Sequence, residues 1–277
     1  LFFTQKGKCF WMRVYEIPEG SKNSKGRAIQ NLINIEQDDK VKAFICTQDL
    51  KDDDYINNHY VIMATKMGQV KKTSLEQYSR PRSNGINAIT IKDGDELLEA
   101  KLTNGNSQIM LAVKSGKAIR FEESKTRPMG RNASGVRGIR LKDNKDEVVG
   151  MISVNDMDAN ILVVSENGYG KRSSLEDYRL TNRGGKGVKT ISITTKTGQL
   201  VSLKSVTDSD DLMIINKSGI AIRMQVADLR VMGRATQGVK VISIKDGDGI
   251  AAVAKVMNDE DEIEDINDIE FTGDTIK

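Results

Sequence analysis

The sequence predicts an all-β domain built from about five repeated four-stranded units that form a propeller-like disc. Glycine recurs with a long fixed period, and a short apolar run precedes each recurring glycine. The recurring positions, which define units 1 to 5, are Gly7, Gly68, Gly116, Gly168 and Gly219, at intervals of 61, 48, 52 and 51 residues. A second glycine follows 17 or 19 residues later in every unit, at Gly26, Gly85, Gly135, Gly187 and Gly238. A period of this length is typical of repeat folds.

The first strand of each unit is predicted from the apolar run before its first glycine. These runs read LFFTQ, YVIMAT, QIMLAV, NILVVS and DLMIIN. They are rich in β-branched and large apolar residues and are bounded by turn residues, which is the pattern of buried strands. Repeated units that carry such strands bury both sheet faces when they stack radially.

Three further strands complete each predicted unit. The second follows the first glycine, the third follows the second glycine, as in GVRGIRL from Gly135, and the fourth closes the unit. In units 2 and 5 the Asp-Gly of IKDGDEL and IKDGDGI predicts a tight turn between the last two strands. We interpret Asp93 and Asp95 as turn residues, since a calcium loop would also need a chelating glutamate. SLEQY and SLEDY each predict one helical turn.

Charge divides the chain into a basic body, residues 1–257, and an acidic tail, residues 258–277. The whole chain has 42 basic and 39 acidic residues, of which the tail holds one lysine and nine acids. The body therefore carries +11 and the tail −8. A basic body favours a polyanionic partner, and we expect the tail to be disordered, either as a solubilising end or as a competitor for that partner's surface.

Several classes of site receive no support. Cys9 and Cys46 form no metal-binding pair, and we interpret both as core thiols. His59 is the only histidine, so no histidine-based triad can be assembled. Tyr78 and Tyr178 are interpreted as packing residues. We expect no enzyme, no metal site and no cofactor in this chain, and no membrane span or secretory signal is visible.

The segments before each second glycine are rich in Gly, Arg, Lys, Ser and Asn, and we call them the basic loops. They span residues 21–27, 79–85, 127–138, 179–189 and 230–240. Charged glycine-rich loops are common on surfaces, but equivalent loops of a circular array reach the same rim, where they suit a phosphate backbone. The 182–189 stretch NRGGKGVK lacks the spacing of a nucleotide-binding P-loop.

The chain resembles the C-terminal domain of the DNA gyrase A protein along nearly its whole length, through YEIPEG, GRAIQNL, GQVKKT, MGRNASGVRGIRL, NGYGKRS and GRATQGV. The resemblance implies a β-pinwheel, in which neighbouring blades exchange strands and DNA wraps around a basic perimeter. That family has six repeats and a Gln-Arg-Arg-Gly-Gly-Lys-Gly box in its first. This chain shows five and aligns from the second, so the box would lie upstream of Leu1. TNRGGKG from Thr181 matches five of its seven positions.

The candidate DNA-binding residues lie in the basic loops and in the basic pairs of two second strands. They are Lys22, Lys25, Arg27, Lys71, Lys72, Arg80, Arg82, Arg127, Arg131, Arg137, Lys171, Arg172, Asn182, Arg183, Gly184, Gly185, Lys186, Gly187, Arg234 and Lys240.

The resemblance implies non-sequence-specific binding, bending and chiral wrapping of double-stranded DNA, presented to the gyrase core for ATP-dependent negative supercoiling. The implied partners are the remainder of gyrase A and the gyrase B protein, which would supply the ATP and magnesium chemistry. The implied location is the bacterial cytoplasm, in association with the nucleoid. Two alternatives stay open, the related topoisomerase IV C-terminal domain, which steers DNA crossings, and a propeller that binds another protein through the same rim.

Overall fold

The fold is all-β, as the repeats predict. A computed structural model describes residues 1–21, 24–245 and 247–256. They form five antiparallel sheets, of which four have four strands and the last has three. The sheets are the blades of a propeller-like pinwheel. Among the described helices, none is both long and apolar enough to cross a membrane.

Each unit supplies three or four strands. Unit 1 contains β1 (Phe2–Thr4), β2 (Lys8–Phe10) and β3 (Val41–Phe44). Unit 2 contains β4 (Tyr60–Thr65), β5 (Gln69–Ser74), β6 (Ile86–Asn87) and β7 (Leu97–Thr103). Unit 3 contains β8 (Gln108–Val113), β9 (Lys117–Glu122), β10 (Val136–Arg137) and β11 (Val148–Val154). Unit 4 contains β12 (Asn160–Ser165), β13 (Tyr169–Ser174), β14 (Val188–Lys189) and β15 (Leu200–Val206). Unit 5 contains β16 (Asp211–Asn216), β17 (Ala221–Gln225), β18 (Val239–Lys240) and β19 (Ile250–Val256).

The third strand of each unit pairs with the preceding unit and not with its own. β6, β10, β14 and β18 lie on the outer edges of β2, β5, β9 and β13, in sheet orders β3-β1-β2-β6, β10-β5-β4-β7, β11-β8-β9-β14 and β15-β12-β13-β18. The strand exchange implied by the resemblance is therefore confirmed. The prediction of a third strand after Gly26 is wrong for unit 1, whose described residues between Gly26 and Val41 form the 3-10 turn Ile29–Asn31 and no strand. At the other end of the chain, β17 has a described partner on one side only, since no following unit supplies an exchanged strand to it within the described residues.

The recurring glycines follow from this exchange, as the junction of units 3 and 4 shows. Gly116 has φ +81°, and a Cβ there would lie 2.8 Å from the Ile191 carbonyl oxygen. Gly187 has φ +69°, and its Cβ would lie 2.5 Å from the Ala118 carbonyl oxygen. Both contacts are closer than a side chain permits, so only glycine allows the exchanged strand to approach.

Four hydrophobic cores lie between consecutive sheets. Alternate residues of one central strand face opposite cores: Val61 and Met63 pack towards unit 1, whereas Ile62 and Ala64 pack towards unit 3. Two equivalent cores join unit 3 to unit 4 and unit 4 to unit 5. Within the described ranges no such core joins unit 5 to unit 1. The central strands of units 2, 3 and 4 are therefore buried on both faces, as their continuous apolar runs predict, whereas alternate residues of β16 in unit 5 are half-buried.

Helix is scarce, and it sits where each second strand ends. The turns predicted from SLEQY and SLEDY are 3-10 helices at Leu75–Tyr78 and Leu175–Asp177. Val14–Glu16, Glu123–Lys125 and Val226–Asp228 form the same turn in the other units, where no capping serine announces it. A further 3-10 turn is Ile29–Asn31, and the acidic insertion of unit 1 forms α1 (Asp53–Asn58), which Asp52 caps.

The turn between the last two strands uses its aspartate to bind the turn at the first glycine. Asp95 accepts a hydrogen bond from the Met67 amide at 2.9 Å. The same bond recurs at Asp39, Asp146 and Asp248, which accept from Lys6, Ser115 and Ser218. Asp95 is therefore a structural residue of the repeat, in agreement with its interpretation as a turn residue.

The interpretation of the isolated thiols and tyrosines is largely confirmed. Tyr78 and Tyr178 are buried, and the Tyr178 hydroxyl lies 2.5 Å from Thr190 Oγ1. Cys9 is buried, and burial raises the pKa of its thiol to about 12. The interpretation of Cys46 as a core thiol is wrong. Cys46 is exposed because the alternation of β3 points Ala43 and Ile45 inward and directs Phe44 and Cys46 outward.

Candidate nucleic-acid interface

The basic loops lie on the perimeter of the described disc. In every complete sheet the exchanged strand is outermost, and the basic loop of each of units 2 to 5 leads directly into one of these strands. The last strands of the units, β3, β7, β11, β15 and β19, lie at the opposite edges of the sheets and pack against one another. The strand order therefore places the loops of units 2 to 5 on the outer rim, where a large ligand has access.

Hydrogen bonds between neighbouring units link the basic loops of units 3 to 5, and residues in or after the loops of units 1 and 2, into one row. Asn34 bonds Asn84 at 3.0 Å, and Asn87 bonds Asn132 at 3.1 Å. Further along the row, the Arg183 guanidinium donates to the Arg137 carbonyl at 3.1 Å, and the Arg234 guanidinium donates to the Lys189 carbonyl at 2.9 Å. Each contact crosses from one unit to the next, so the row follows the perimeter from unit 1 to unit 5.

The predicted residues fall into three groups by exposure, apart from Lys22, which lies outside the described residues. Nine are exposed: Lys25, Arg27, Arg80, Arg82, Arg127, Arg137, Asn182, Lys186 and Lys240. Six are half-buried within the loops: Arg131, Arg183, Gly184, Gly185, Gly187 and Arg234. Four are buried: Lys71, Lys72, Lys171 and Arg172.

The four buried cations are not available as surface contacts, so their assignment as direct DNA ligands is wrong for this structure. Their side chains are taken by protein groups. Lys72 pairs with the buried Glu123 carboxylate at 2.9 Å, and Arg172 donates to the Leu229 carbonyl at 2.5 Å and pairs with Asp208. Lys71 and Lys171 donate to loop carbonyls. Sequence alone did not separate them, because basic pairs in an edge-adjacent strand look like a solvated face.

The exposed cations of the row are not neutralised by the protein. None of them forms an ion pair with an acidic side chain in the described part of the chain. Cations near the glycine turns and the inner strands behave differently: Lys6, Lys42, Lys66, Lys114 and Lys217 all pair with acids. The perimeter therefore carries positive charge that stays available to a polyanion.

Four exposed cations in or beside the row were missed by the sequence reasoning, and one of them is Arg230 in the loop of unit 5. Lys189 and Arg179 lie in the loop of unit 4, and Arg140 donates its backbone amide to the Gly185 carbonyl at 2.8 Å. A signal for Lys189 existed, since it stands two residues after its second glycine, as Arg137 and Lys240 do.

A cavity of about 170 Å³ lies between the loop of unit 4 and β9, lined by Ile119, Arg120, Arg179, Asn182 and Lys186 among others. Burial lowers the pKa of Arg120, whose guanidinium donates to the Leu175 and Tyr178 carbonyls at 2.8 and 3.0 Å. In the described ranges no three His, Cys, Asp or Glu side chains are grouped as metal ligands. The chemistry of this surface is therefore that of cations and backbone amides.

Comparison with known proteins gives the same propeller fold and the same division into five units. The sequence model described as "DNA gyrase C-terminal domain, beta-propeller" matches residues 1–48, 59–104, 108–155, 159–207 and 210–257, one segment for each unit. The DNA gyrase A protein of Staphylococcus aureus strain MRSA252 is 44% identical over 264 residues, which are 95% of this chain and 29% of that protein. The DNA gyrase A protein of Staphylococcus epidermidis strain ATCC 12228 is also 44% identical, over 263 residues. The chain thus spans less than a third of the length of these relatives.

Solved structures share the fold. The C-terminal domain of DNA topoisomerase IV superposes with a TM-score of 0.86 at 25% identity, over 98% of this chain and 83% of that one. A DNA gyrase A C-terminal domain superposes with a TM-score of 0.78 at 24% identity, over 92% and 81% of the two chains. The five matched segments and the 44% identity to a DNA gyrase A protein show that the chain belongs to the DNA gyrase C-terminal domain family of beta-propellers.

Proposed function

We propose that this chain binds double-stranded DNA without sequence specificity along its basic perimeter, and bends and wraps it with a defined hand. The observation that carries the proposal is the continuous row of basic loops, whose exposed cations have no acidic partner in the described structure. Cations and glycine-rich backbone contact phosphates, and such contacts fix the path of a duplex without reading its sequence.

The energetics are consistent with wrapping. By smooth elastic estimates, bending 20–30 base pairs by up to a right angle costs roughly 1–6 kcal/mol. A perimeter that makes on the order of ten phosphate contacts offsets this cost through counterion release, and its affinity then falls steeply with salt. A row that crosses five units presents such contacts along a curved path.

Membership of the DNA gyrase C-terminal domain family supports a role for this DNA binding within a gyrase. We propose that the wrapped DNA is presented to the core of a gyrase, formed by the remainder of gyrase A and by gyrase B, for ATP-dependent negative supercoiling in the bacterial cytoplasm. In this proposal the chain itself is not catalytic and takes no cofactor. Its 44% identity to a DNA gyrase A protein over 95% of its length favours gyrase.

A second candidate function is the steering of DNA crossings by a topoisomerase IV. The observation that favours it is the TM-score of 0.86 to that enzyme's C-terminal domain, against 0.78 to a gyrase A domain. The two functions differ in wrapping, since a steering domain binds DNA without a large change in linking number. A protein-binding propeller would leave DNA unbound.

The test of DNA binding replaces four exposed cations of the perimeter, Arg137, Lys186, Lys189 and Lys240, with glutamine. The matched control replaces four exposed lysines of the turns before the last strands, Lys92, Lys142, Lys145 and Lys245, and changes net charge equally. Each phosphate contact contributes about −0.9 to the slope of log affinity against log salt. We therefore expect the slope of the perimeter variant to be less steep than that of the wild-type chain by roughly 3 to 4. Equal behaviour of the two variants would refute the perimeter as the DNA track.

A further inference from the structure

Two buried lysines occupy equivalent positions in alternate units. Lys71 and Lys171 each stand three residues after the first glycine, in the second strands of units 2 and 4, and both are 0% exposed. Lysine is almost never fully buried unless its ammonium group has partners. The burial of these two lysines therefore depends on the contacts that their ammonium groups make.

Each ammonium group binds the basic loop of the following unit. Lys71 Nζ donates to the Arg131 carbonyl in the loop of unit 3 and to the Ala88 carbonyl, both at 2.5 Å. Lys171 Nζ donates to the Gly233 carbonyl at 2.6 Å and to Thr236 Oγ1 at 3.2 Å, both in the loop of unit 5. The bonds reach 60 to 65 residues along the chain, so each lysine ties one blade to the loop of the next.

The residue three positions after the first glycine varies together with the sequence of the loop that packs on it. The two loops that rest on a lysine both contain Met-Gly-Arg, at residues 129–131 and 232–234. Units 1 and 3 have Phe10 and Ile119 at the equivalent position. The loops that rest on these apolar residues lack Met-Gly-Arg, and a Cβ on Gly185 would lie in ordinary contact with Ile119 at 3.4 Å. An ammonium group thus supports each of the two Met-Gly-Arg loops, whereas an apolar side chain lies under the loops of units 2 and 4.

We propose that Lys71 and Lys171 are positioning residues, whose ammonium groups hold the two Met-Gly-Arg loops in the conformation that presents Arg131 and Arg234 to DNA. The proposal rests on the proposed DNA binding and replaces direct phosphate contact as the role of these lysines. Both arginines are half-buried in the loops, and Arg234 also donates to the Lys189 carbonyl. The loop backbone therefore sets where their charge lies.

Burial makes this support sensitive to pH. Burial, with a smaller contribution from Arg131, lowers the pKa of Lys71 to about 7. Burial also lowers the pKa of Lys171 to about 8, where Asp177 opposes the shift and Arg234 and Lys189 add to it. Each amine therefore binds its proton less tightly when the loop is closed over it than when the loop opens and water reaches it. Loss of the proton favours the closed loop, so the loops are held more firmly above pH 8 than below pH 7.

The experiment compares Lys71→Met/Lys171→Met with the control Lys92→Met/Lys145→Met, which removes two exposed charges from the turns. We expect DNA affinity to fall about tenfold more in the first variant than in the control, on the order of one lost charge-assisted hydrogen bond. In the absence of DNA, the amides of Ala133 and Thr236, which close the loop turns at 3.1 Å, should exchange hydrogen faster in the first variant only. Unchanged exchange of these amides would overturn the proposal.

Two further measurements separate the possible outcomes. Between pH 6 and 9, the amides of Ala133 and Thr236 should exchange progressively more slowly in the wild-type chain than in the double variant as the two amines lose their protons, and a constant ratio of the two exchange rates would overturn the proposal. Lys71→Ile/Lys171→Ile, which introduces the residue found at this position in units 3 and 5, checks that any effect does not come from misfolding. If the wild-type chain fails to bind DNA, the proposed function fails, whereas the exchange measurement still tests the role of the lysines.

Discussion

At the scale of single residues, the second glycine of a unit is required by the close approach of two backbones. Gly187 has positive φ, and an added Cβ would lie 2.5 Å from the Ala118 carbonyl oxygen. We expect Gly187→Ala to lower the free energy of unfolding by about 2 kcal/mol or more, from strain and overlap together. Gly94, whose φ is +76° and which has nothing within 4 Å, is the matched control, and Gly94→Ala should cost only about 1 kcal/mol. Equal costs in denaturant unfolding would mean that strand exchange does not explain the repeat.

The buried pair of Lys72 and Glu123 makes a second prediction at this scale. Glu123 is fully buried, and it also accepts hydrogen bonds from Thr103 Oγ1 at 2.7 Å and the Ser107 amide at 3.2 Å. Lys72→Met leaves this carboxylate without its cation, so we expect a loss of about 3 to 5 kcal/mol in the free energy of unfolding.

The control for that pair is Lys217→Met, which removes the exposed pair with Glu166. Exposed pairs contribute less than about 1 kcal/mol, so thermal unfolding should separate the two variants clearly. Similar unfolding midpoints would show that the buried pair contributes no more to stability than the exposed pair.

The sequence pattern predicted the structural importance of the recurring glycines but not the burial of the cations. A recurring glycine is visible because backbone geometry permits no other residue at Gly187, and its spacing survives in every unit. Lys71 and Lys72 alternate across a strand whose outer edge is covered by β10, which belongs to another unit. Burial of both depends on that contact across units, and no local pattern encodes it.

At the scale of elements, a side-chain donor at the second strand ties neighbouring blades together in three of the units. The residue four positions after the first glycine is Trp11, Arg120 or Arg172 in these units. Their side chains donate to the carbonyls of Tyr78, Tyr178 and Leu229, each of which lies ten residues after the first glycine of the next unit. The repeat therefore carries an equivalent hydrogen bond across each of these three junctions, beside the exchanged strand.

Removal of one such tie should weaken one junction. Arg120→Met leaves the Leu175 and Tyr178 carbonyls without their donor, and we expect a loss of about 1 to 3 kcal/mol in the free energy of unfolding. Arg127→Met removes an exposed arginine from the same unit and should stay within about 0.5 kcal/mol of wild type. A chemical denaturation series that shows no difference between them would contradict this role.

The sequence predicted the long strands well and the exchanged strands only in part. β4, β8, β12 and β16 follow the apolar runs closely. β6, β10, β14 and β18 have two residues each, too short for any periodicity, and only their position after a second glycine indicates them. Their pairing with the preceding unit came from the family resemblance and not from the pattern.

At the scale of the whole molecule, the cations of the perimeter row differ in their pairing from several cations near the glycine turns. Cations near the glycine turns meet acids, as Lys66 and Lys42 meet Glu96, while the exposed cations of the perimeter row have no such partner in the described residues. The division of the sequence into a basic body and an acidic tail predicted a polyanion partner. The tail, residues 258–277, lies outside the described residues, and its disorder and its competition with DNA stay predictions.

The central claim is that the perimeter wraps DNA with one hand, and the linking number of a plasmid tests it most directly. A nicked plasmid is resealed with the 277-residue chain bound, at low and at moderate salt, and its topoisomers are then resolved. We predict a positive shift in linking number that grows with bound protein, decreases with salt and is lost in the variant of Arg137, Lys186, Lys189 and Lys240. Saturating binding without any shift would contradict wrapping by these five units.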